Sequence, residues 1–141
     1  MKIPQQNSKL ENISYVPLGI LRDRSVTPLE AIVVYFKNLG FSFKEISLMI
    51  NRDPRTVWTV YQRTTKKKKG EYSENNSKLE NISYIPLRIF KNRSVTALEA
   101  IILYLKDSGF SFKEISLLIN RDQRTVWTVH QRAVRKGVQH E

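Results

Sequence analysis

The sequence predicts an all-α chain made of two tandem tri-helical domains, each preceded by a short extended apolar arm. Three observations carry this. The segment NRDPRTVWTVYQR, Asn51 to Arg63, returns as NRDQRTVWTVHQR, Asn120 to Arg132. Apolar residues recur at spacings of three and four in three successive stretches of each copy. Helix-start signals precede those stretches at matching places in both copies.

From Asn7 and Asn76 onward the two copies keep a constant 69-residue offset. Identity between them is roughly 70%, and several changes swap one apolar residue for another, as Val33 for Ile102 and Met49 for Leu118. The unit is too long for a stacked solenoid repeat and occurs only twice, so duplication of a whole small domain is the simpler reading. Copy one covers 7–66 and copy two 76–136. The stretch 67–75 begins in Lys, passes Gly70 and turns Ser/Asn/Glu-rich, the composition of a flexible linker. About 10 such residues have a typical span of roughly 17 Å and a stretched limit of roughly 35 Å.

The arms read ISYVPLGIL and ISYIPLRIF. Ile85, Leu87 and Ile89 alternate with Pro86 and Arg88, the pattern of a half-buried strand that proline confines to an edge. Two such arms could pair about a pseudo-twofold axis. The other readings are an irregular arm, or a short helix starting at Pro17 and Pro86, packed on its own domain. Packing against the helices is favoured over any cofactor or membrane role.

The first helix follows Thr27. The tetrapeptide T-P-L-E is a capping box with Pro28 at the first helical position and Glu30 reaching back. Leu29, Ile32, Val33 and Phe36 form its apolar face and Gly40 its left-handed stop. Thr96, Glu99, Leu98, Ile101, Ile102, Leu105 and Gly109 repeat the pattern. A second capping box, Ser42 to Glu45, opens a short helix with Ile46, Met49 and Ile50 inward, and Asn51 ends it. Asp53 caps a third helix with Pro54 at its first position, and Val57, Val60, Tyr61 and Thr64 face inward.

Composition narrows the partners. The 141 residues carry 24 Lys+Arg against 13 Asp+Glu, a net charge of +11 and a pI near 10.0. A field of that sign favours polyanions, nucleic acid before an acidic membrane. Cys is absent, so no disulfide, thiolate metal site or Cys nucleophile can form. The N-terminal MKIPQQNSKLENISY has no signal-peptide core, and no apolar run is long enough to span a bilayer. The two His residues, His130 and His140, lack metal-binding spacing; His130 faces the core by periodicity. Glu30, Glu45, Glu99 and Glu114 are better explained as capping acids than as catalysts. The reading is therefore not an enzyme, with no cofactor and no metal.

The segment Phe41 to Thr64 resembles a helix-turn-helix motif, similar to the sigma-factor region 4 group of that superfamily. Ser47 and Ser116 stand where the family usually has Ala, and Asn51 and Asn120 where the turn usually has Gly. Arg52 and Arg121, just after the turn, depart from the apolar residue of many members. The resemblance covers roughly a third of each copy. It implies a tri-helical unit whose third helix enters the DNA major groove, and it makes RNA polymerase a second candidate partner.

With that inward face, helical geometry exposes Arg55, Thr56, Thr59, Gln62 and Arg63, and in copy two Arg124, Thr125, Thr128, Gln131 and Arg132. Arg reads guanine and Gln adenine through paired hydrogen bonds, and Thr can touch a thymine methyl. These are the expected base-reading residues. Lys44, Arg52, Lys66, Lys67, Lys68 and Lys69, with Lys113, Arg121, Arg135 and Lys136, are expected to hold phosphates. No acid follows Asp53 until Glu71, whereas a merely solvated face usually mixes Glu with Lys. Trp58 and Trp127 read either as core or as groove-facing, with partial burial favoured.

The expectation is thus a double-stranded DNA-binding protein, a sequence-specific transcriptional regulator acting as a single-chain pseudo-dimer on two similar half-sites. Further self-association stays open. The alternatives are an architectural DNA-bridging protein of little specificity and an RNA polymerase-binding adapter. A protein of this type is expected in the cytoplasm, nucleoid-associated, of a prokaryotic or viral host.

Overall fold

The structure, a computed structural model, describes residues 15–67 and 84–137. The linker beyond Lys67, Lys68 and Lys69, His140, and the first part of each arm lie outside them. The described chain is mostly helical with one small two-stranded sheet. In order come β1 (Tyr15–Pro17), a 3-10 turn (Leu18–Arg22), α1 (Pro28–Asn38), α2 (Phe43–Ile50) and α3 (Pro54–Thr65). Copy two repeats them as β2 (Tyr84–Pro86), a 3-10 turn (Leu87–Lys91), α4 (Ala97–Asp107), α5 (Phe112–Ile119) and α6 (Gln123–Arg135). Among the described residues no helix is long and apolar enough to cross a membrane.

Local chemistry explains each helix boundary. Thr27, Ser42, Thr96 and Ser111 each accept from the backbone three residues on, and the Glu there accepts from the cap's own N–H. Two of the orphan amides at each helix start are thereby satisfied. Asn51 and Asn120 end α2 and α5 in the left-handed region, at φ 54° and 56°, where Asn is tolerated better than most side chains. Gly40 and Gly109, at φ 98° and 102°, turn the chain between the first two helices of each copy. Asp53 caps α3 through the Arg55 amide, whereas Asp122 holds the same place without a side-chain bond.

The helices then pack as their periodicity requires. Ile32, Val33, Phe36, Ile46, Met49, Ile50, Val57, Val60 and Thr64 are buried in copy one. Ser47 is buried too, and its hydroxyl donates to the Lys44 carbonyl, so a small side chain lets the neighbouring helix approach. Between copies Leu21 and Phe36 become Phe90 and Leu105, all buried. Each copy keeps one large and one small residue where the 3-10 turn meets the first helix, a volume-conserving exchange. Tyr61 and His130 pack edge-on against Phe43 and Phe112, with Lys37 and Lys106 over those rings. Burial and the Lys106 charge hold the half-buried His130 below its ordinary pKa.

The arms do not stay on their own copies. β1 and β2 pair antiparallel with Val16 opposite Ile85, Tyr15 opposite Pro86 and Pro17 opposite Tyr84. Val16 and Ile85 are equivalent repeat positions, so this register puts a pseudo-twofold axis through their pairing. Both are fully buried. The 3-10 turn of copy one packs on its own α1 and also on α5 of copy two; that of copy two packs on α4 and on α2. Each arm therefore becomes part of the other copy's core, and α1 meets α4 across the same axis. The sequence favours packing of the arms against the helices and leaves their pairing open; both occur, and the exchange between copies is added. A strand of three residues adds little alone; two arms locked into one continuous apolar cluster add far more.

Candidate nucleic-acid interface

α3 and α6 present the faces to which the sequence points. Val57, Val60 and Thr64 turn inward, as do Val126, Val129 and Ala133. Helical geometry then leaves Arg55, Thr56 and Thr59 exposed, and likewise Arg124, Thr125 and Thr128. Trp58 and Trp127 join this face, 50% and 52% exposed, so half of each indole meets solvent. Gln62 and Gln131 sit half-buried at its edge. Lys44, Lys66, Lys113 and Arg135 are exposed beside it.

Four expected contact residues have other partners. Arg63 Nε donates to Glu30 Oε2 at 2.7 Å, and Lys67 Nζ to Glu30 Oε1 at 2.7 Å. Arg132 and Lys136 do the same with Glu99, at 2.8 and 2.7 Å. Both carboxylates are fully buried, while the arginines keep about half of their side chains in solvent, 52% and 50%. Burial acts to raise each carboxyl pKa. Hydrogen bonds from the Lys, the Arg and the capping-box Thr outweigh it and hold Glu30 and Glu99 below the ordinary value. Each Glu is thus both the acid of a capping box and an anchor between the first helix and the end of the third. Arg63 and Arg132 accordingly have their Nε engaged by a buried carboxylate.

Arg52 and Arg121 are displaced further from the expected phosphate role. Arg52 Nη1 donates to the carbonyls of Ile50 and Phe90, both at 3.1 Å, and Nη2 to that of Val95 at 3.3 Å. Arg121 mirrors this, with Nη1 on Ile119 and Leu21, both at 3.2 Å, and Nη2 on Val26 at 3.4 Å. Asn51 Nδ2 donates to the Lys91 carbonyl at 2.6 Å and Asn120 Nδ2 to that of Arg22 at 2.8 Å. The post-turn Arg therefore bridges the copies, because exchange of the arms brings free carbonyls to it. Burial, then a nearby arginine charge, holds both guanidinium pKa values below the ordinary value.

The sequence reading did not single out Arg24 and Arg93, which lie beside these bridging arginines. Their only signal is retention of Arg in both copies while the preceding residue changes from Asp23 to Asn92. Among the described residues no group of three or more His, Cys, Asp or Glu could hold a metal ion. Comparison with protein-family models, with curated proteins and with solved structures gives no match.

Proposed function

We propose that the chain binds double-stranded DNA as a single-chain pseudo-dimer, with α2–α3 and α5–α6 acting as helix-turn-helix pairs. The observation that carries this is the twofold presentation of one acid-free face, Arg55, Thr56, Trp58 and Thr59, with its copy Arg124, Thr125, Trp127 and Thr128. Arg offers paired donors to guanine, Thr and Trp offer apolar contact to thymine methyls and sugars, and flanking cations suit phosphates. The base-reading set is narrower than the sequence suggested, since Arg63 and Arg132 are tied to buried carboxylates. Their exposed halves suit phosphate contact.

The pseudo-twofold axis adds a constraint on the target. Two like surfaces related by a dyad match a duplex whose half-sites are inverted, as in dimeric helix-turn-helix proteins. A flexible linker alone would tolerate direct or inverted repeats at many spacings. Mutual exchange of the arms favours one orientation and a narrow spacing.

Selection of random duplexes by the full chain at two salt concentrations tests this. An enriched inverted repeat is the expected result. Salt-sensitive binding without enrichment would replace the regulator by an architectural protein. No duplex binding at low salt would end the DNA reading and favour a polymerase-binding adapter. Arg55→Ala with Arg124→Ala is expected to reduce discrimination between sites by about 1–3 kcal/mol per half-site. Melting temperature should stay unchanged, because both side chains are exposed.

A further inference from the structure

A cleft of about 480 Å³ opens at the seam between the copies. Arg52 lines it from copy one; Arg93, Arg132 and Lys136 line it from copy two. The half-buried Leu29 and Leu98 give it an apolar wall with one residue from each copy. Its volume lies in the range of small-molecule sites, and one apolar surface with a few convergent polar groups is their usual make-up.

The charges around it do not balance. Arg132 and Lys136 share the single carboxylate of Glu99. Arg93 makes no hydrogen bond or ion pair among the described residues, and its charge adds to burial in lowering the Arg52 pKa. Arg52 and Arg93 line the same cleft with no acid in its lining, and their mutual repulsion is what an anion would relieve. The pseudo-equivalent place differs. There Asp23 acts on Arg121 alongside Arg24, and partly offsets the repulsion. Asn92 replaces that acid in copy two, so the excess positive charge is concentrated on the Arg93 side.

We propose that this cleft binds a phosphate-bearing small molecule of about mononucleotide size. The phosphate would contact Arg93 and lie in the positive field of Arg52, Arg132 and Lys136, with the apolar body against Leu29 and Leu98. Because both copies line the cleft, occupancy would stabilise their paired arrangement by mass action. If the DNA reading holds, the ligand would thereby stiffen the arrangement that presents both reading faces. The binding itself does not depend on that reading.

The test is calorimetric and thermal-shift titration of the full chain, without DNA, at constant ionic strength. The probes are inorganic phosphate, pyrophosphate and adenosine monophosphate, with chloride as the control anion. Saturable binding of the monophosphate with a Kd below about 1 mM, accompanied by a rise in melting temperature, is expected. Arg93→Ala should weaken it by about tenfold or more without lowering the ligand-free melting temperature, as removal of a charge-assisted contact would. Arg24→Ala should change it by no more than about twofold, because Arg24 does not line the cleft and its exposed charge is screened. Equal losses in the two variants, no loss in either, or an equal response to chloride would overturn the assignment. So would failure of all three probes in a chain whose duplex affinity falls on Arg93→Ala, since Arg93 would then be a DNA phosphate contact. Failure of the DNA reading alone would leave monophosphate binding intact.

Discussion

Replacing Arg52 and Arg121 together by Ala is expected to lower the stability of the DNA-free chain by about 5 kcal/mol, on the order of 2–3 kcal/mol per site. Each guanidinium donates to four carbonyls, and two of those belong to the other copy. Truncation leaves these partly buried acceptors with no donor, and hydrogen bonds to charged groups are the stronger kind. Melting temperature should fall by about 15 °C or more, since about 1 kcal/mol corresponds to a few degrees in a domain of this size. Lys in place of Arg should restore little, because one ammonium cannot reproduce a fork spread over separate carbonyls. Unchanged melting with weakened duplex binding would sink this assignment and restore the phosphate role.

Which parts of the molecule were legible in the sequence follows from the range of the interactions concerned. The capping boxes at Thr27, Ser42, Thr96 and Ser111 act over three residues, so a tetrapeptide is sufficient to read them. The αL ends at Asn51 and Asn120 and the inward faces of the six helices are local in the same sense. Arg52 is different. Apart from Ile50 and Asn51 beside it, its partners Phe90 and Val95 lie in the other copy, and no periodicity reports carbonyls left open by an exchanged arm. The departure of Arg52 and Arg121 from the apolar residue common after such turns was the available hint. Charge composition pulled its interpretation towards DNA. The T-P-L-E tetrapeptide marks Glu30 as a capping acid, and it acts as one. Its ion pairs with Arg63 and Lys67 depend on how α1 crosses the end of α3, a tertiary fact. The alternating arm pattern indicated a strand, but not which copy the following 3-10 turn would cover.

Glu30→Gln and Glu99→Gln are expected to separate stability from polyanion affinity, moving them in opposite directions. The carboxylates are fully buried and each receives a Lys, an Arg and a backbone N–H. Gln keeps the shape and can still accept from the Thr27 or Thr96 amide. Its own NH2 then opposes an arginine donor, and the charge attraction is lost. The cations remain partly in water, so the loss should be about 2 kcal/mol per site, below that of a fully buried pair. The wild-type chain should show the same contribution as a function of pH. Because the folded carboxyl pKa values lie below the ordinary 4.5, the stabilisation is complete above that value. It is lost as pH falls through the folded value. Denaturant titrations from pH 7 to pH 3 should therefore steepen below about pH 4.5 in the wild type. The doubly substituted chain should show a flatter profile there. Freed from their carboxylates, Arg63, Lys67, Arg132 and Lys136 would be available to phosphates, so low-salt duplex affinity should rise and its dependence on salt should steepen. If affinity instead falls in parallel with stability while the fold persists, the paired cations contribute to DNA binding only through the geometry that Glu30 and Glu99 impose.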